Sequence, residues 1–490
     1  MTMKSYFTGR PLRVGTGTQL LIDDYLVEDR WHLTRVLHRP EKFLRNPILV
    51  RDKPWEGDFA YWPAVLWDED LGRYRMWYQC FSTSNYYGAG GPPYHVCYAE
   101  SDDGIEWEKP RMTVCKYPGH DKTNVVYSGT FRNRVQGVQV IKDREEADPG
   151  KRYKMICVES RPLGDTFQSG VNVAFSPDGL NWTLPPGPHL LDYHSDCYNH
   201  VVYDPAGKQW ILYCRPIHMF ATGRDSRNPP GGKPGSRHMK RRIAAMTSPD
   251  FVHWSYPRTV MYPDERDLPD YDSCVVFPYA GQFLMFYAAM EGDITGAVET
   301  RFAASRDGLT WERFDTREPY IPRGREGDWD AGQIFVNTPP IGQGEKLLVY
   351  YTGTTNVQYV ESGQAGIGVA LTKADRFVEQ RAGDEPGYLL TREFILDGRS
   401  LRLNTAMNAM PCKNQGIRVE IVRHPPLGQH HGFVQAFEGY RMEDCDPIRC
   451  DRTDVPVTWK GNADLSALSG QPVYLRFEIQ NMGLFSFRVE

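Results

Sequence analysis

The sequence predicts an all-β protein: a five-bladed β-propeller at about residues 45–378, followed by a β-sandwich at about residues 388–490. Three observations support this prediction: a recurring turn motif, an apolar hairpin upstream of each copy, and the composition. The 490 residues include 45 glycines and 36 prolines, and 13% of all residues are aromatic. Glycine and proline together average about 12% of residues, so this excess favours strands joined by tight turns over a helix bundle.

The recurring motif reads Ser-x-Asp-(Gly or Phe)-x-x-Trp. Its copies begin at Ser101, Ser176, Ser248 and Ser305, and a degenerate copy begins at Thr372. The starts lie 75, 72, 57 and 67 residues apart, which is too far for a solenoid and suits propeller blades with variable loops. Asp and Gly favour a tight turn after a strand, and the Trp can pack back on the blade. We therefore interpret these motifs as structural turns.

The predicted strands follow the motif in order. A short strand precedes each turn, at residues 95–99, 171–175, 243–246, 301–304 and 366–371. Upstream of each lies a hairpin, pairing residues 63–67 with 74–78, 135–141 with 153–158, 201–203 with 210–214, 274–277 with 283–288, and 334–338 with 347–351. β-Branched and aromatic residues dominate these segments, as a sheet requires.

The two ends of the chain lack the repeat. Residues 18–35 are strand-like, and we expect them to close the ring by adding a strand to the last blade. The N-terminal segment as a whole, residues 1–44, is expected to pack on the propeller or to close it. Residues 379–387 form a polar linker. Alternating runs at 417–422, 455–459, 474–479 and 484–489 then predict the sandwich.

Charge and hydropathy exclude several classes of partner. The formal net charge is −5, which argues against nucleic acid as the main ligand. The longest apolar stretch, residues 274–290, is interrupted by Pro278 and Gly281, so no membrane span is expected. The N-terminus has no apolar signal region, and the 10 cysteines include no C-x-x-C pair. We expect a cytoplasmic location, with secretion left open if a leader has been removed.

Propeller geometry predicts that the starts of the inner strands and the ends of the second strands meet at one central funnel. Carboxylates at these positions are Asp58, Glu159, Asp196, Asp272, Glu291 and Asp330. Candidate substrate contacts there are Tyr61, Trp62, Arg161, Asn199, Arg215, Trp329 and Gln333. Acids interleaved with Trp, Tyr and Arg indicate a sugar site, because glycosidic cleavage needs two positioned carboxyl groups. The alternative is structural: Asp before a strand commonly caps a turn, and the arginines can simply pair with acids.

Two further segments carry clusters of histidine or of basic residues. In His194-Ser-Asp-Cys-Tyr-Asn-His200 the histidines share one face of an extended strand while Cys197 points the other way, so no metal site is predicted. Residues 224–242 carry five arginines and two lysines and are interpreted as a solvated loop, with an oligomer contact or an active-site lid as alternatives.

The propeller with its sandwich resembles the five-bladed glycoside hydrolases of families 32, 43 and 68. The resemblance rests on the Ser-x-Asp turns, on the hairpin at residues 63–79 and on a tail similar to the family 32 sandwich. The tail segments are residues 414–421, 457–461, 472–477 and 484–487. The resemblance covers most of residues 45–490 and implies a glycoside or oligosaccharide substrate. It allows a structural calcium or sodium ion, but no residue pattern signals one, and no other cofactor is expected.

The family 32 catalytic motifs are not reproduced, which indicates a divergent branch. Trp62 stands where that family has its nucleophile, with Asp58 the nearest preceding acid, and Asp196-Cys197 corresponds to its Glu-Cys motif. Blade-by-blade comparison with family 43 implies Asp58 as the base, Asp196 as the group that tunes the acid, and Glu291 as the acid. The reserves for these roles are Glu159, Asp272 and Asp330.

The resemblance and the acid-lined rim together predict a glycosidase, with a furanoside among the candidate substrates. Two alternatives stay open. A glycoside phosphorylase would use Arg134, Arg161 or Arg215 to hold phosphate. A carbohydrate-binding propeller without catalysis would be consistent with Trp62 at the nucleophile position. The oligomeric state, the sugar and the linkage are not indicated by the sequence.

Overall fold

β-Strands make up nearly all of the regular secondary structure in the computed structural model. The structure describes residues 9–86, 91–131, 134–191, 193, 195–196, 198–216, 241–291, 295–314, 316–357, 363–408, 414–425 and 433–490. The helical segments among these residues are one α-helical turn, Thr83–Tyr86, and the 3-10 turns Pro54–Glu56, Pro149–Lys151, Met442–Asp444 and Ser466–Leu468. The predicted all-β fold is confirmed.

The chain divides into two units, which are described separately. The propeller unit comprises residues 40–278 and 282–372, and the sandwich unit comprises residues up to 39, 279–281 and 373–490. No helix among the described residues is both long and apolar enough to cross a membrane.

The propeller unit begins with three antiparallel sheets, here called blades 1 to 3. Blade 1 contains Phe59–Asp68, Arg73–Phe81, Tyr94–Ser101 and Val125–Tyr127. Blade 2 contains Val135–Lys142, Tyr153–Leu163 and Thr166–Ser176. Blade 3 contains His200–Asp204, Gln209–Cys214, Ile243–Ser248 and Arg258–Met261. In each blade the strands pair in chain order from the inner strand outward.

Blades 4 and 5 follow, joined by a single parallel pair between Val298 and Gln333. Blade 4 contains Asp270–Tyr279, Gln282–Met290, Val298–Ser305 and Glu312–Arg313. Blade 5 contains Gln333–Phe335, Ile341–Gln343, Lys346–Thr354 and Ala365–Lys373. Its outer edge is completed by the early strands Glu41–Lys42 and Leu49–Val50, which pair antiparallel with Ala365–Lys373.

Side chains on the strands join each blade to the next. The Gln79 amide donates to Val135 O at 2.9 Å, and the Gln139 amide donates to Val201 O at 2.8 Å, which connects blades 1, 2 and 3. His200 Nε2 donates to Val276 O at 2.7 Å, connecting blades 3 and 4.

Threonine hydroxyls complete the ring. Thr300 Oγ1 donates to Ile334 O at 3.0 Å between blades 4 and 5, and Thr338 Oγ1 donates to Val65 O at 3.0 Å between blades 5 and 1. These contacts join the five sheets into a closed ring, as expected of a β-propeller.

The repeated motif forms the structural turns that the sequence predicts. In the copy at Ser305, the serine hydroxyl donates to Asp307 at 3.0 Å and accepts from Gly308 N at 2.9 Å. The Asp307 carboxylate in turn accepts from Leu309 N at 2.8 Å. Gly308 has φ +71°, a left-handed conformation that glycine adopts without strain.

The four full copies of the turn also contact the preceding blade. The carbonyls of Gly104, Gly179 and Gly308 accept hydrogen bonds from the aromatic side chains of Tyr350, Trp77 and Tyr213, respectively. In blade 3 the glycine is replaced by Phe251, at φ +64°, whose ring packs against the apolar cluster that contains Ile156 of blade 2.

The sandwich unit contains two sheets. One consists of Leu12–Arg13, Val27–Trp31, Gly387–Thr391, Phe394–Ile395, Gly416–Arg423, Gln435–Ala436 and Pro472–Gln480. The other consists of Thr18–Leu20, Thr34–Leu37, Val378–Arg381, Leu401–Met407, Arg452–Pro456 and Met482–Val489. Buried side chains from both sheets, including Leu403, Val419, Phe477 and Phe487, form one core.

The early strands pair differently from one expectation of the sequence analysis. Thr18–Leu20 pairs with Met482–Val489, and Val27–Trp31 and Thr34–Leu37 also pair with strands of the sandwich unit. The last blade is closed by Glu41–Lys42, at the end of the segment 1–44, and by Leu49–Val50, so the expected closure applies to residues 41–42 and not to residues 18–35. The alternation of a short strand indicates which of its faces is buried but does not identify its partner, so the sequence could not distinguish the two pairings.

Candidate active site

A cavity of about 310 Å³ lies in the propeller unit among strand ends of blades 1, 3, 4 and 5. Its lining includes Phe59, Tyr61, Trp62, Phe81, Asp196, Arg215, Arg241, Asp272, Gln333, Phe335, Thr352, Thr354 and Asn356. Most of these residues begin an inner strand or end a second strand. This is the end of the blades at which the sequence analysis expects the funnel.

One wall of the cavity is aromatic. Phe59 and Phe81 stack with ring centroids 6.0 Å apart and an interplanar angle of 19°. The Tyr61 and Trp62 rings lie 4.8 Å apart, and the Trp62 ring meets Phe335 edge-on at 6.1 Å. The wall therefore presents several rings to the same space.

Trp62 owes its place in this wall to a β-bulge. The pairing of Phe59–Asp68 with Arg73–Phe81 shifts register between Tyr61 and Pro63, which leaves Trp62 without a partner across the strand. Its φ is +47°, and its backbone N–H donates to Thr352 Oγ1 of blade 5 at 2.7 Å. A bulge re-aims the side chain of the extra residue, which is how adjacent residues 61 and 62 both face the cavity.

Another part of the lining holds two carboxylates joined by arginine. Arg215 donates from one nitrogen to Asp196 Oδ2 at 2.5 Å and from the other to Asp272 Oδ1 at 2.9 Å. Arg241 also donates to Asp272 Oδ1. The Asp272 side chain is only 8% exposed, whereas that of Asp196 is 42% exposed. The cluster therefore combines one enclosed carboxylate with one that is open to the cavity.

The backbone around these charges is itself held in place. Ser195 Oγ accepts from Arg215 N at 3.1 Å and donates to the Asn199 side chain at 2.6 Å. The Tyr193 hydroxyl donates to Arg215 O at 2.9 Å. These bonds fix the end of the second strand of blade 3 against the segment that carries Asp196.

Polar groups of blade 5 complete the lining. Gln333 donates to Gly296 O at 3.1 Å, and Thr354 Oγ1 donates to Asn356 O at 2.6 Å. The amide of Asn356 and the hydroxyls of Thr352 and Thr354 are groups that can bond sugar hydroxyls.

The structure brings part of the sequence-predicted set to this cavity. The predicted residues that line it are Tyr61, Trp62, Asp196, Arg215, Gln333 and the reserve acid Asp272. The others lie elsewhere: Asp58, Glu159, Glu291, Asp330, Arg161, Asn199 and Trp329 do not line it.

Asp58 and Glu291, two of the predicted catalytic acids, do not line the cavity, and the carboxylate of each accepts a hydrogen bond from a nearby threonine. The half-buried Asp58 carboxylate accepts from Thr83 N at 2.7 Å, at the start of the single α-helical turn. Glu291 is half-buried, and its carboxylate accepts from the hydroxyl of Thr295. Their catalytic roles stay predictions.

The reserve acids Glu159 and Asp330 are almost fully buried. Glu159 accepts from the Tyr127 hydroxyl at 2.6 Å and from Phe131 N at 3.1 Å, and burial raises the pKa of its carboxyl despite these hydrogen bonds. Asp330 forms an ion pair with Lys42 Nζ at 2.6 Å, which fastens the closing strand at 41–42 to blade 5.

Three of the predicted substrate contacts also have structural partners. Arg161 donates to the Asn172 side chain at 2.6 Å and to Pro185 O at 2.8 Å. Trp329 stacks on Tyr351 with centroids 5.6 Å apart. Asn199 is completely buried. Arg161 also lines a larger cavity of about 620 Å³, formed by residues 161–191 and 246–257, which does not include the charged cluster.

Arg241 is a lining residue that the sequence analysis missed, because it was assigned to the solvated loop at 224–242. Its position two residues before the strand Ile243–Ser248 was the available signal. Residues 224–240 of that loop lie outside the described residues, as do His194 and Cys197 of the histidine-containing segment considered for metal binding.

No family model matches the chain. Two uncharacterized proteins from strains of Mycobacterium tuberculosis are 24% identical over 186 residues, covering 35% of this chain and 52% of each relative. The chain thus spans about half the length of the curated relatives it matches.

Several solved structures are similar to the chain at low identity. A β-1,2-mannobiose phosphorylase from Listeria innocua is 12% identical with a TM-score of 0.46, covering 69% of this chain and 97% of that one. The catalytic domain of a GH62 α-L-arabinofuranosidase from Coprinopsis cinerea is 12% identical with a TM-score of 0.45, covering 71% and 99%. A GH32 β-fructofuranosidase from Bombyx mori is 12% identical with a TM-score of 0.41, covering 93% and 94%. With TM-scores below 0.5, none of the three identifies an activity for this chain.

Proposed function

We propose that this chain is a carbohydrate-active enzyme that hydrolyses a glycosidic bond in the cavity of the propeller unit. The observation that carries the proposal is the carboxylate pair, Asp196 and Asp272, bridged by Arg215 in a cavity with an aromatic wall. Aromatic faces pack against the C–H faces of a sugar ring, while the neighbouring amide and hydroxyl groups bind its hydroxyls. The volume of about 310 Å³ suits the terminal sugar of a glycoside.

The two carboxylates have different surroundings, which supports different roles. Asp272 is enclosed and accepts from both Arg215 and Arg241, so we assign it the role of the anion that faces the positive charge developing on the sugar ring. Asp196 lines the cavity with a side chain that is 42% exposed, and we assign it the role of exchanging a proton with the leaving group.

The separation of the pair is compatible with glycoside chemistry. Both carboxylates bond one guanidinium group, so their nearest oxygens lie no more than about 8 Å apart. Retaining enzymes place their carboxyl groups about 5–5.5 Å apart and inverting enzymes about 6.5–9.5 Å apart. The anomeric configuration of the first product, followed by NMR, would distinguish these two courses.

The experiment is a hydrolysis screen on a panel of aryl furanosides and pyranosides. On the best substrate, Asp196→Asn and Asp272→Asn should each lower kcat at least about a hundredfold, the scale of positioned acid–base catalysis. Circular dichroism checks that each variant is folded, and Glu106→Gln, an exposed acid of the same unit, is the matched control.

The screen also tests the other assignments. If both Asn variants keep normal turnover while Asp58→Asn or Glu291→Gln loses it, the roles belong to the latter acids. If the wild-type protein binds glycosides but releases no product from any of them, the chain is a binding propeller.

Phosphorolysis is a second candidate, favoured by the two guanidinium groups in the same cavity. Arginine binds phosphate oxygens in a bidentate manner, and Arg215 and Arg241 both line the space next to the carboxylates. The same panel with and without inorganic phosphate tests this function. If the product with phosphate is a sugar 1-phosphate, the reaction is phosphorolysis and not hydrolysis. If free sugar is released at the same rate with and without phosphate, phosphorolysis is excluded.

A further inference from the structure

Blade 1 holds two cysteines and a histidine on one face of neighbouring strands. Cys80 lies opposite His95, and Tyr78 lies opposite Cys97, in the pairing of Arg73–Phe81 with Tyr94–Ser101. Because side chains alternate along a strand, residues 80, 95 and 97 project to the same side of the sheet. The sulfur atoms of both cysteines and a ring nitrogen of His95 all lie within 4.8 Å of one another.

Among the described residues, the histidine has no nitrogen or oxygen partner for its ring. His95 is 1% exposed, and the two cysteine sulfur atoms lie within 4.8 Å of one of its ring nitrogens. By contrast His200, also 1% exposed, donates from Nε2 to Val276 O at 2.7 Å. Sulfur is a weak hydrogen-bond partner, so a cation bound between the ring and the two sulfur atoms would satisfy the buried imidazole better than the thiols do.

Both cysteines are fully buried and lie beside the imidazole. The thiolate is the form of cysteine that binds metals, so a bound cation would replace the thiol protons. Neither Cys80 nor Cys97 is in a disulfide.

We propose that Cys80, His95 and Cys97 form a buried binding site for a thiophilic divalent cation of the zinc class. Two thiolates and one imidazole are a donor set that zinc favours, with Zn–S bonds of about 2.3 Å and Zn–N bonds of about 2.0–2.1 Å. The observed separations, up to 4.8 Å, require the ligand atoms to close by about 1 Å. These three residues leave the fourth position of a tetrahedral zinc site to water or to another donor, and Cys115 packs against the same apolar cluster.

Such a site would act on the propeller rather than on the reaction. Cys80 immediately precedes Phe81 of the cavity wall and pairs with Ala60, which lies between Phe59 and Tyr61. A cation here would tie the second and third strands of blade 1 together and so hold the aromatic wall in place. The metal site is independent of the proposed hydrolysis.

The test is the metal content of the full chain, expressed in zinc-supplemented medium and purified with a phosphine reductant and no chelator. Wild-type protein should retain roughly one zinc ion per chain by mass spectrometry, the stoichiometry of a single closed site. Cys97→Ser and His95→Gln should lose it. Cys157→Ser, which alters another fully buried cysteine on a second strand, should keep it.

Expression in cobalt-supplemented medium gives a readout on the wild-type protein, which does not depend on how well the variants fold. Wild-type protein should show thiolate-to-cobalt charge-transfer absorption. The proposal would be overturned if the wild-type protein contained no metal after zinc expression and showed no such absorption after cobalt expression. A Cys80–Cys97 disulfide in the intact mass would also overturn it, as would equal metal loss in Cys157→Ser.

Discussion

Gly308→Ala tests how much the repeated turn contributes to holding two blades together. Gly308 has φ +71°, and a Cβ there would lie 2.9 Å from Ile211 Cδ1 and 3.0 Å from the Tyr213 hydroxyl. The Tyr213 hydroxyl donates to Gly308 O at 2.7 Å, so the added methyl group would push against the donor of this bond. Gly344 supplies the matched control, since its φ is +60° and its Cβ would meet nothing within 4 Å.

The two substitutions share one energetic cost and differ in the others. A left-handed backbone costs an alanine about 1–2 kcal/mol, and both variants carry this cost. Gly308→Ala adds overpacking of about 1–3 kcal/mol and a weakened hydrogen bond of about 1 kcal/mol. We therefore expect Gly344→Ala to lower the free energy of unfolding by about 1–2 kcal/mol and Gly308→Ala to lower it by about 3–6 kcal/mol.

Urea unfolding, followed by circular dichroism, measures both variants against the wild type. The two glycines lie in the same unit, so the transition that Gly344→Ala shifts identifies the one to follow for Gly308→Ala. Equal shifts of the midpoint at an unchanged m-value would refute the reasoning, because they would leave no contribution from the contact between the turn and the preceding blade.

Two other predictions concern the cavity wall and the acid stability of the propeller unit. Trp62→Ala should lower kcat/KM on the best glycoside at least about tenfold, the equivalent of about 1.4 kcal/mol of lost ring contact. Trp67→Ala is the control, since Trp67 lies at the exposed end of the same strand, and it should leave kcat/KM unchanged. A loss of activity in Trp67→Ala and not in Trp62→Ala would contradict the proposed site. Burial alone would raise the pKa of the Asp68 carboxyl, but three hydrogen bonds lower it from 3.8 to about 2. The donors are Lys142, Tyr153 and Arg75. A depressed carboxyl pKa stabilises the fold above about pH 4, and this contribution is lost as the pH falls towards 2. The difference in free energy of unfolding between the wild type and Asp68→Asn should therefore shrink by about 2 kcal/mol between about pH 4 and about pH 2. A difference that stays constant in urea unfolding over this range would contradict the prediction.

The elements of the propeller were largely predictable because each blade repeats a local pattern. The turn at Ser305 is defined by contacts within five residues, so its sequence carries the whole structure. The strand at Thr18–Leu20 pairs instead with Met482–Val489, and nothing local in either segment identifies the other. Local contacts can be inferred from local sequence, whereas long-range pairings depend on the whole packed unit.

The site shows the same division. Tyr61, Asp196 and Arg215 could be placed at one rim, since strand ends in a propeller converge whatever the side chains are. Side-chain direction could not be inferred in the same way. The bulge at Trp62 breaks the alternation that would relate Asp58 to the cavity-lining residues after it.

The early strands that complete blade 5 have a consequence for folding during synthesis. The Asn46 side chain bonds to Val369 O, 323 residues later, and Val50 pairs with Gly366. The first part of the propeller unit to leave the ribosome is thus among the last to find its partner. Until then Ala365–Lys373 has a free edge, and an unpaired edge strand can recruit another chain. The interval between the synthesis of blade 5 and this final pairing is therefore one in which the protein is exposed to aggregation, and a chaperone that covers the edge would protect it there.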